Sequence, residues 1–125
     1  MKKLNLLLFI FLLSSIICFS QEEKSKVAFA RDKTELLKNK SDGKFLFVLP
    51  QNTSAEDVKR NSSFYISYFT VKFDTNSKET IIQMKTNDEN SRHIISRFLT
   101  SFDIEYIQSE GKLYRIEEFY ENFLK

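Results

Sequence analysis

The pattern of apolar and polar residues predicts four β-strands from residue 44 onward. Residues 44–49 (KFLFVL) form an unbroken apolar run that ends at Pro50, which is typical of a strand buried on both faces. Residues 69–74 and 80–85 each alternate apolar with polar positions around the short polar sequence TNSK, and this predicts a β-hairpin. Residues 103–108 (DIEYIQ) alternate again and predict a fourth strand.

Capping residues followed by apolar positions at helical spacing predict the helices. Asp32 and Glu35 have the spacing of a capping box and open a short helix over residues 33–40. Thr53 or Ser54 is the predicted N-cap of a second helix. A third helix is predicted after Asn87 or Asp88, with these residues on one face: Ile94, Ile95, Phe98, Leu99 and Phe102. A fourth is predicted near the C-terminus, after a short extended start at 113–115, from the helical spacing of Ile116, Phe119, Tyr120, Phe123 and Leu124.

The order of these elements predicts an α+β fold of the ferredoxin-like βαββαβ type. From residue 44 the order is strand, helix, strand, strand, helix, strand, which folds as an antiparallel sheet with two helices on one face. The N-terminal and C-terminal helices are additions to this arrangement. The predicted organisation is a signal peptide at 1–20, a polar tether at 21–31, a short helix and turn at 32–43, and the domain with its C-terminal helix at 44–125.

Residues 44–108 resemble a heavy-metal-associated domain of the copper-chaperone type in the order and length of their elements. The sequences FLFVLPQNTSAEDVKRNSSFY, YFTVKFDTNSKETIIQMKT and ENSRHIISRFLTSFDIEYI carry this resemblance. Members of that family bind soft cations through Cys-x-x-Cys in the loop before the first helix, because two close thiolates suit Cu(I). Here the loop, residues 50–54 (PQNTS), has no Cys, His or Met. The resemblance therefore implies a fold and no metal ligands.

The N-terminal 20 residues have the pattern of an export signal. Two lysines precede the apolar run LLLFIFLL, and small residues then lead into the polar sequence QEEKSK. Cleavage after Ser20 places Ser20 and Cys18 at the two positions that signal peptidase prefers to be small, and leaves Gln21 at the new N-terminus. Lipid attachment at Cys18, the only cysteine, is disfavoured because the bulky Ile17 precedes it. We therefore expect a periplasmic or secreted protein with no stable membrane insertion after signal removal.

Composition excludes several classes of function. The chain has 19 basic and 17 acidic residues, and the signal peptide removes two lysines and no acid, so the mature chain is electrically neutral. Nucleic-acid binding, which depends on clustered basic residues, is therefore not expected. With Cys18 removed the mature chain has no thiol for a disulfide, a nucleophile or a metal site. No glycine-rich phosphate loop is present either, and no cofactor is implied.

Residues with catalytic potential have structural explanations that suit them better. His93 is the only histidine, so it cannot form a typical metal site, and we interpret it as structural or exposed. The acidic pairs at 88–89 and 117–118 fall at predicted helix starts, where carboxylates favour the helix dipole. Lys59 and Ser62 have the spacing of a Ser–Lys dyad, but such pairs arise often by chance, and a solvated helix face is the better explanation. No catalytic or metal-binding residue is predicted.

The aromatic C-terminus is the candidate interaction surface. It consists of Phe119, Tyr120, Phe123 and Leu124, which either pack against the sheet or form an exposed patch. The favoured hypothesis is a non-enzymatic exported domain that acts through an unknown protein partner or through self-association. The alternative is a metal-binding or small-ligand module that has lost its thiols, in which the loop 51–54 and His93 would be the relevant residues. A sheet edge that accepts a partner's strand is a further possibility.

Overall fold

The computed structural model describes residues 26–125, which form an α+β fold with a six-stranded sheet and four α-helices. The strands are β1 (Val27–Ala30), β2 (Lys44–Val48), β3 (Phe69–Phe73), β4 (Glu79–Met84), β5 (Tyr106–Ser109) and β6 (Lys112–Arg115). The helices are α1 (Lys33–Asp42), α2 (Ala55–Ser62), α3 (Glu89–Thr100) and α4 (Ile116–Phe119). A 3₁₀ turn, Ser63–Tyr65, follows α2, and a π-helical segment, Tyr120–Leu124, follows α4.

The sheet is mixed, with the strand order β3-β4-β2-β1-β5-β6. Its one parallel pair is β1 with β5, and the other neighbours are antiparallel. The hairpin predicted from alternation is confirmed, because β3 and β4 pair from Phe69–Met84 to Phe73–Thr80. Among the strands of residues 26–125, β3 and β6 each pair with one neighbour only and are the two outer strands.

Strand β1 corrects the predicted four-stranded antiparallel sheet. A ferredoxin-like sheet pairs its first strand directly with its last, whereas here β1 lies between β2 and β5. This strand falls within residues 21–31, which the sequence predicted to be a polar tether. Ala28 has no exposed surface and Val27 is 8% exposed, so the segment belongs to the sheet interior. Its apolar run is only four residues long, too short for periodicity to separate it from a tether.

The core occupies one face of the sheet, beneath the helices. On β2 the buried side chains are Phe45 and Phe47, while Leu46 and Val48 on the opposite face are half-buried. The prediction that this strand is buried on both faces is therefore wrong. Strand β4 shows the same division, since Thr80, Ile82 and Met84 are its buried residues. No helix within residues 26–125 covers the second face of the sheet in the same way, and we call it the open face.

Side-chain caps begin three of the helices as the sequence predicted. The Asp32 carboxylate accepts a hydrogen bond from the Glu35 amide at 2.9 Å and caps α1. Between the alternatives for α2 and α3, the caps are Ser54 and Asp88. Asp88 accepts from the Ser91 amide at 2.7 Å. Each cap satisfies an N–H group that the helix itself leaves unpaired.

Several predictions fall on residues outside the described range. These are the signal peptide, the fate of Cys18 and the cleavage between Ser20 and Gln21. Across residues 26–125 we find no helix with both the length and the apolar character needed to cross a membrane.

Candidate functional site

The predicted C-terminal interaction surface is buried in the structure. Phe119, Tyr120, Phe123 and Leu124 are 0%, 5%, 9% and 1% exposed. The ring of Phe119 lies 4.9 Å from that of Phe123, and the Phe123 ring lies 5.2 Å from that of Tyr114 on β6. These residues are therefore part of the core, so of the two predicted alternatives the structure shows packing against the sheet and not an exposed patch. Helical spacing identified them as a cluster but not the side that faces solvent.

Exposed apolar side chains lie instead in the segment that leads into β3. Phe64, Ile66 and Tyr68 are 76%, 63% and 38% exposed. Phe64 belongs to the 3₁₀ turn after α2, and Ile66 and Tyr68 follow before the strand begins. Sequence reasoning missed this patch because SSFYISYF is apolar at most positions and gives no clear period. We call these three residues the entry patch.

The entry patch is followed at once by the outer strand β3. The hydrogen bonds between β3 and β4 show which backbone groups of β3 point away from the sheet. The Lys85 amide donates to the Tyr68 carbonyl at 2.9 Å, and the Asp74 amide donates to the Glu79 carbonyl at 2.9 Å. In an antiparallel ladder, residues alternate between directing both backbone groups toward the neighbouring strand and directing both away. The backbone N–H and C=O groups of even-numbered residues of β3 therefore bond to β4, and those of odd-numbered residues point away from β4. The outward residues are Phe69, Val71 and Phe73.

The opposite edge of the sheet is protected by charge. Strand β6 has four residues and carries Lys112 and Arg115 at its two ends. The Lys112 ammonium lies 4.7 Å from the centre of the Tyr114 ring, and both positions are exposed or half-exposed. Short edge strands with charged residues resist pairing with other chains. Strand β3 is longer and has one charged residue, Lys72, so it is the less protected edge.

The open face carries more positive than negative charge within the strands. Thr70 and Lys72 extend this face to the free edge, because Lys72 lies opposite Ile81, which lies opposite Leu46. Its charged residues within the strands are Lys44, Lys72, Arg115 and Glu79. Phe29 and Leu113, 45% and 52% exposed, are its most exposed apolar side chains.

A second candidate site is a groove between α3 and α4 that contains His93. The His93 Nε2 atom lies 3.0 Å from Glu117 Oε2, and the imidazole stacks on the Tyr120 ring with centroids 4.0 Å apart. The groove has a volume of about 580 Å³ and is lined by Tyr65, His93, Ser96, Arg97, Thr100, Ser101 and Glu117. Sequence analysis did not identify Glu117, 24 residues away, as the partner of the histidine.

The Ser96 and Thr100 hydroxyl groups of this groove are not placed to act as nucleophiles. The Ser96 Oγ is buried and has no hydrogen-bond partner among the described residues. It is therefore shielded from a substrate and not activated by His93. The Thr100 hydroxyl donates to the Ser96 carbonyl at 2.7 Å and is also occupied. A nucleophile paired with a base, which covalent catalysis needs, is not assembled here.

Other candidate catalytic groups also have structural roles. The Ser62 hydroxyl donates to the Lys59 carbonyl at 3.2 Å, so these residues do not form a dyad through the lysine ammonium. Glu89 Oε1 lies 3.4 Å from the Tyr120 hydroxyl. Burial, followed by the Glu89 charge, raises the pKa of the Tyr120 phenol above its usual value. Within residues 26–125 no three His, Cys, Asp or Glu side chains are grouped to hold a metal ion.

The loop at residues 50–54, where the alternative hypothesis placed a ligand site, makes structural contacts. The Ser54 hydroxyl caps α2 by accepting from the Asp57 amide at 3.1 Å. The Thr53 carbonyl accepts from the Lys78 ammonium at 2.9 Å, which links the loop to the turn between β3 and β4. These contacts hold the loop in place without leaving a set of soft ligands.

Comparison of the chain with protein-family models, with curated proteins and with solved structures finds no match. The function is therefore inferred from the surfaces and contacts described above.

Proposed function

We propose that this protein is an exported, non-enzymatic interaction domain that binds a protein partner at the free edge of β3. The observation that carries the proposal is the juxtaposition of three outward-facing backbone positions on β3 with the exposed entry patch at Phe64, Ile66 and Tyr68. An extended segment of a partner can add to such an edge as a further strand.

Main-chain hydrogen bonds would supply part of the binding free energy. Phe69, Val71 and Phe73 each offer an N–H and a C=O group at the edge, and each new bond contributes a net of roughly 0.5–1.5 kcal/mol. The entry patch adds apolar area beside the strand, where burial contributes about 25 cal/mol per Å². Ordering of the partner opposes both contributions, which favours a reversible interaction.

The chain order also supports a proposal about the fold. From β2 to β5 the described elements follow in the order strand, helix, strand, strand, helix, strand. We interpret this as a ferredoxin-like unit whose first and last strands are separated by β1. The likeness to heavy-metal-associated domains would then concern the fold alone, since the family's thiol ligands are missing from the loop at 50–54.

The alternative function is the binding of a small anionic ligand in the groove between α3 and α4. Arg97 favours it, because this exposed guanidinium has no ion-pair partner among residues 26–125. The Glu117 carboxylate pairs with His93 at the same groove and opposes a strongly charged anion. A shift in melting temperature with inorganic phosphate, measured at constant ionic strength and lost in Arg97→Gln, would support this alternative.

Site-specific photocrosslinking tests the interaction proposal. A photoreactive residue replaces Lys72, beside the free edge, and in a matched variant replaces Arg115 on the opposite edge. In cells that produce the full chain we expect a covalent adduct from position 72 and none from position 115. Absence of any adduct at position 72, or equal adducts at both positions, would contradict the proposal.

A further inference from the structure

The free edge of β3 is complementary to itself. We propose that the partner at this edge is a second copy of the chain, joined through antiparallel pairing of β3 with β3 centred on Val71. This inference rests on the proposed interaction at the edge and names its occupant. The result would be a two-fold symmetric dimer with one continuous sheet.

Backbone geometry favours this register. When Val71 lies opposite Val71 of the second copy, Phe69 lies opposite Phe73, and Phe73 lies opposite Phe69. All three positions direct their backbone groups outward. Each facing pair can therefore exchange two N–H···O=C bonds, as the hydrogen-bonded pairs of an antiparallel sheet do. A shift by one residue would oppose outward groups with inward ones and lose these bonds.

Side chains also match in this register. On the helix-covered side, Val71 meets Val71 and Phe69 meets Phe73, and both Val71 and Phe73 are half-buried in the single chain. On the open face, Thr70 lies opposite Lys72 of the second copy. No like charges face each other within the paired strands, whereas directly opposed like charges destabilise a sheet.

Pairing of β3 with β3 gives a closed dimer, whereas pairing of β3 with β6 does not. Pairing of β3 with β6 of another copy would leave a free β3 and a free β6 at the two ends and continue as an open chain. Pairing of β3 with β3 consumes both unprotected edges and leaves β6 at each end. There Lys112 and Arg115 oppose further addition.

Single proline substitutions at two adjacent positions distinguish an effect on association from an effect on folding. The Val71 amide faces outward, so Val71→Pro removes a donor to the second copy while preserving the bonds of β3 to β4. The Thr70 amide faces β4, so Thr70→Pro removes an intramolecular bond. In sedimentation experiments on the mature chain we expect a dimer for the wild type and a monomer for Val71→Pro with a melting transition still present. Thr70→Pro should lower the melting temperature more than Val71→Pro.

A charge exchange tests the register. Thr70→Lys would place two lysines opposite each other twice in the dimer, and we expect association to weaken roughly fivefold. Adding Lys72→Glu to Thr70→Lys converts both contacts to opposite-charge pairs and should restore association. A partner other than a second copy gives no reason for such rescue. A wild-type dimer insensitive to Val71→Pro and Thr70→Lys would overturn the inference.

The crosslinking experiment separates this inference from the proposal on which it depends. An adduct of twice the chain mass at position 72 supports the dimer. An adduct of another mass, with a wild-type chain that sediments as a monomer, overturns the dimer and leaves the interaction domain in place. No adduct from position 72 contradicts both.

Discussion

Phe47 on β2 and Phe119 on α4 meet edge to face, with their ring centroids 6.0 Å apart. Neither residue has any exposed surface. Through this contact the C-terminal helix packs against a strand near the middle of the sheet, and the two residues are 72 positions apart in the chain. The C-terminal segment, for which the sequence allowed either packing or an exposed binding surface, is therefore part of the core.

Replacement of Phe119 by alanine should lower the free energy of unfolding by about 3–5 kcal/mol, because it leaves a cavity among packed rings. Phe64→Ala is the matched control, since that ring is 76% exposed, and its effect should stay within about 0.5 kcal/mol. Urea denaturation of both variants measures the difference. Similar stabilities would show that Phe119 is not buried as described.

Gly43→Ala should destabilise the protein more than Gly111→Ala. Both glycines have positive φ, at 70° and 76°, where an added Cβ costs roughly 1–2 kcal/mol. At Gly43 the Cβ would also lie 3.2 Å from the Asn87 side chain, which donates to the Lys40 carbonyl at 2.7 Å. A Cβ added at Gly111 would meet no atom within 4 Å beyond its chain neighbours. Thermal unfolding compares the two, and equal losses would contradict the tight contact with Asn87.

Arg92→Lys should destabilise the protein although the charge is kept. The buried Arg92 guanidinium donates from Nε to the Leu124 carbonyl, and from Nη1 to the Asn87 carbonyl at 3.1 Å and to Asn87 Oδ1 at 2.9 Å. A single ammonium cannot bridge both partners, so we expect a loss of about 1–3 kcal/mol. The control is Arg97→Lys, on an exposed position of the same helix.

Hydrogen exchange can locate the effect of Arg92→Lys. We expect faster exchange in the C-terminal π-helical segment of this variant than in Arg97→Lys. Equal exchange in the two variants would show that the bond to Leu124 does not hold that segment.

Asp88 should make the unfolding free energy depend on pH in the acid range. Hydrogen bonds from the Ser91 amide and then the Ser91 side chain hold the pKa of this carboxyl below its ordinary value of 3.8. A carboxyl with a lowered folded pKa adds stability above its unfolded pKa, and this stability is lost as pH falls through the folded value. Asp88→Asn keeps a capping oxygen but does not titrate. Denaturation from about pH 5 to about pH 2, a range that brackets this ordinary pKa of 3.8, should show a smaller decline in the free energy of unfolding for Asp88→Asn than for the wild type. Equal declines would contradict this role.

The mature chain should begin at Gln21. Small residues at the cleavage site and the bulky Ile17 before Cys18 favour ordinary signal cleavage over lipid attachment. Intact-mass measurement of the protein from the cells that produce it should give the mass of residues 21–125. A lipid adduct on Cys18 or a retained leader would contradict this expectation.

Features that depend on residues close together in the chain could be predicted from the amino-acid sequence. Helix caps at Asp32, Ser54 and Asp88 depend on residues three positions apart, and the hairpin of β3 and β4 depends on alternation across a short turn. Such features are readable because the interacting groups are near neighbours in the chain. The α+β class followed from the same local patterns.

Which side chains and strand edges are exposed depends on contacts between distant parts of the chain, so it required the three-dimensional structure. The short β1 became an interior strand because two neighbours supply its backbone partners, and a four-residue run carries no such information. Phe119 became core and Phe64 exposed, although both are phenylalanines in apolar segments, since their burial depends on contacts distant in sequence. The pairing of His93 with Glu117 and the outward amide of Val71 likewise follow from how separate elements meet in space.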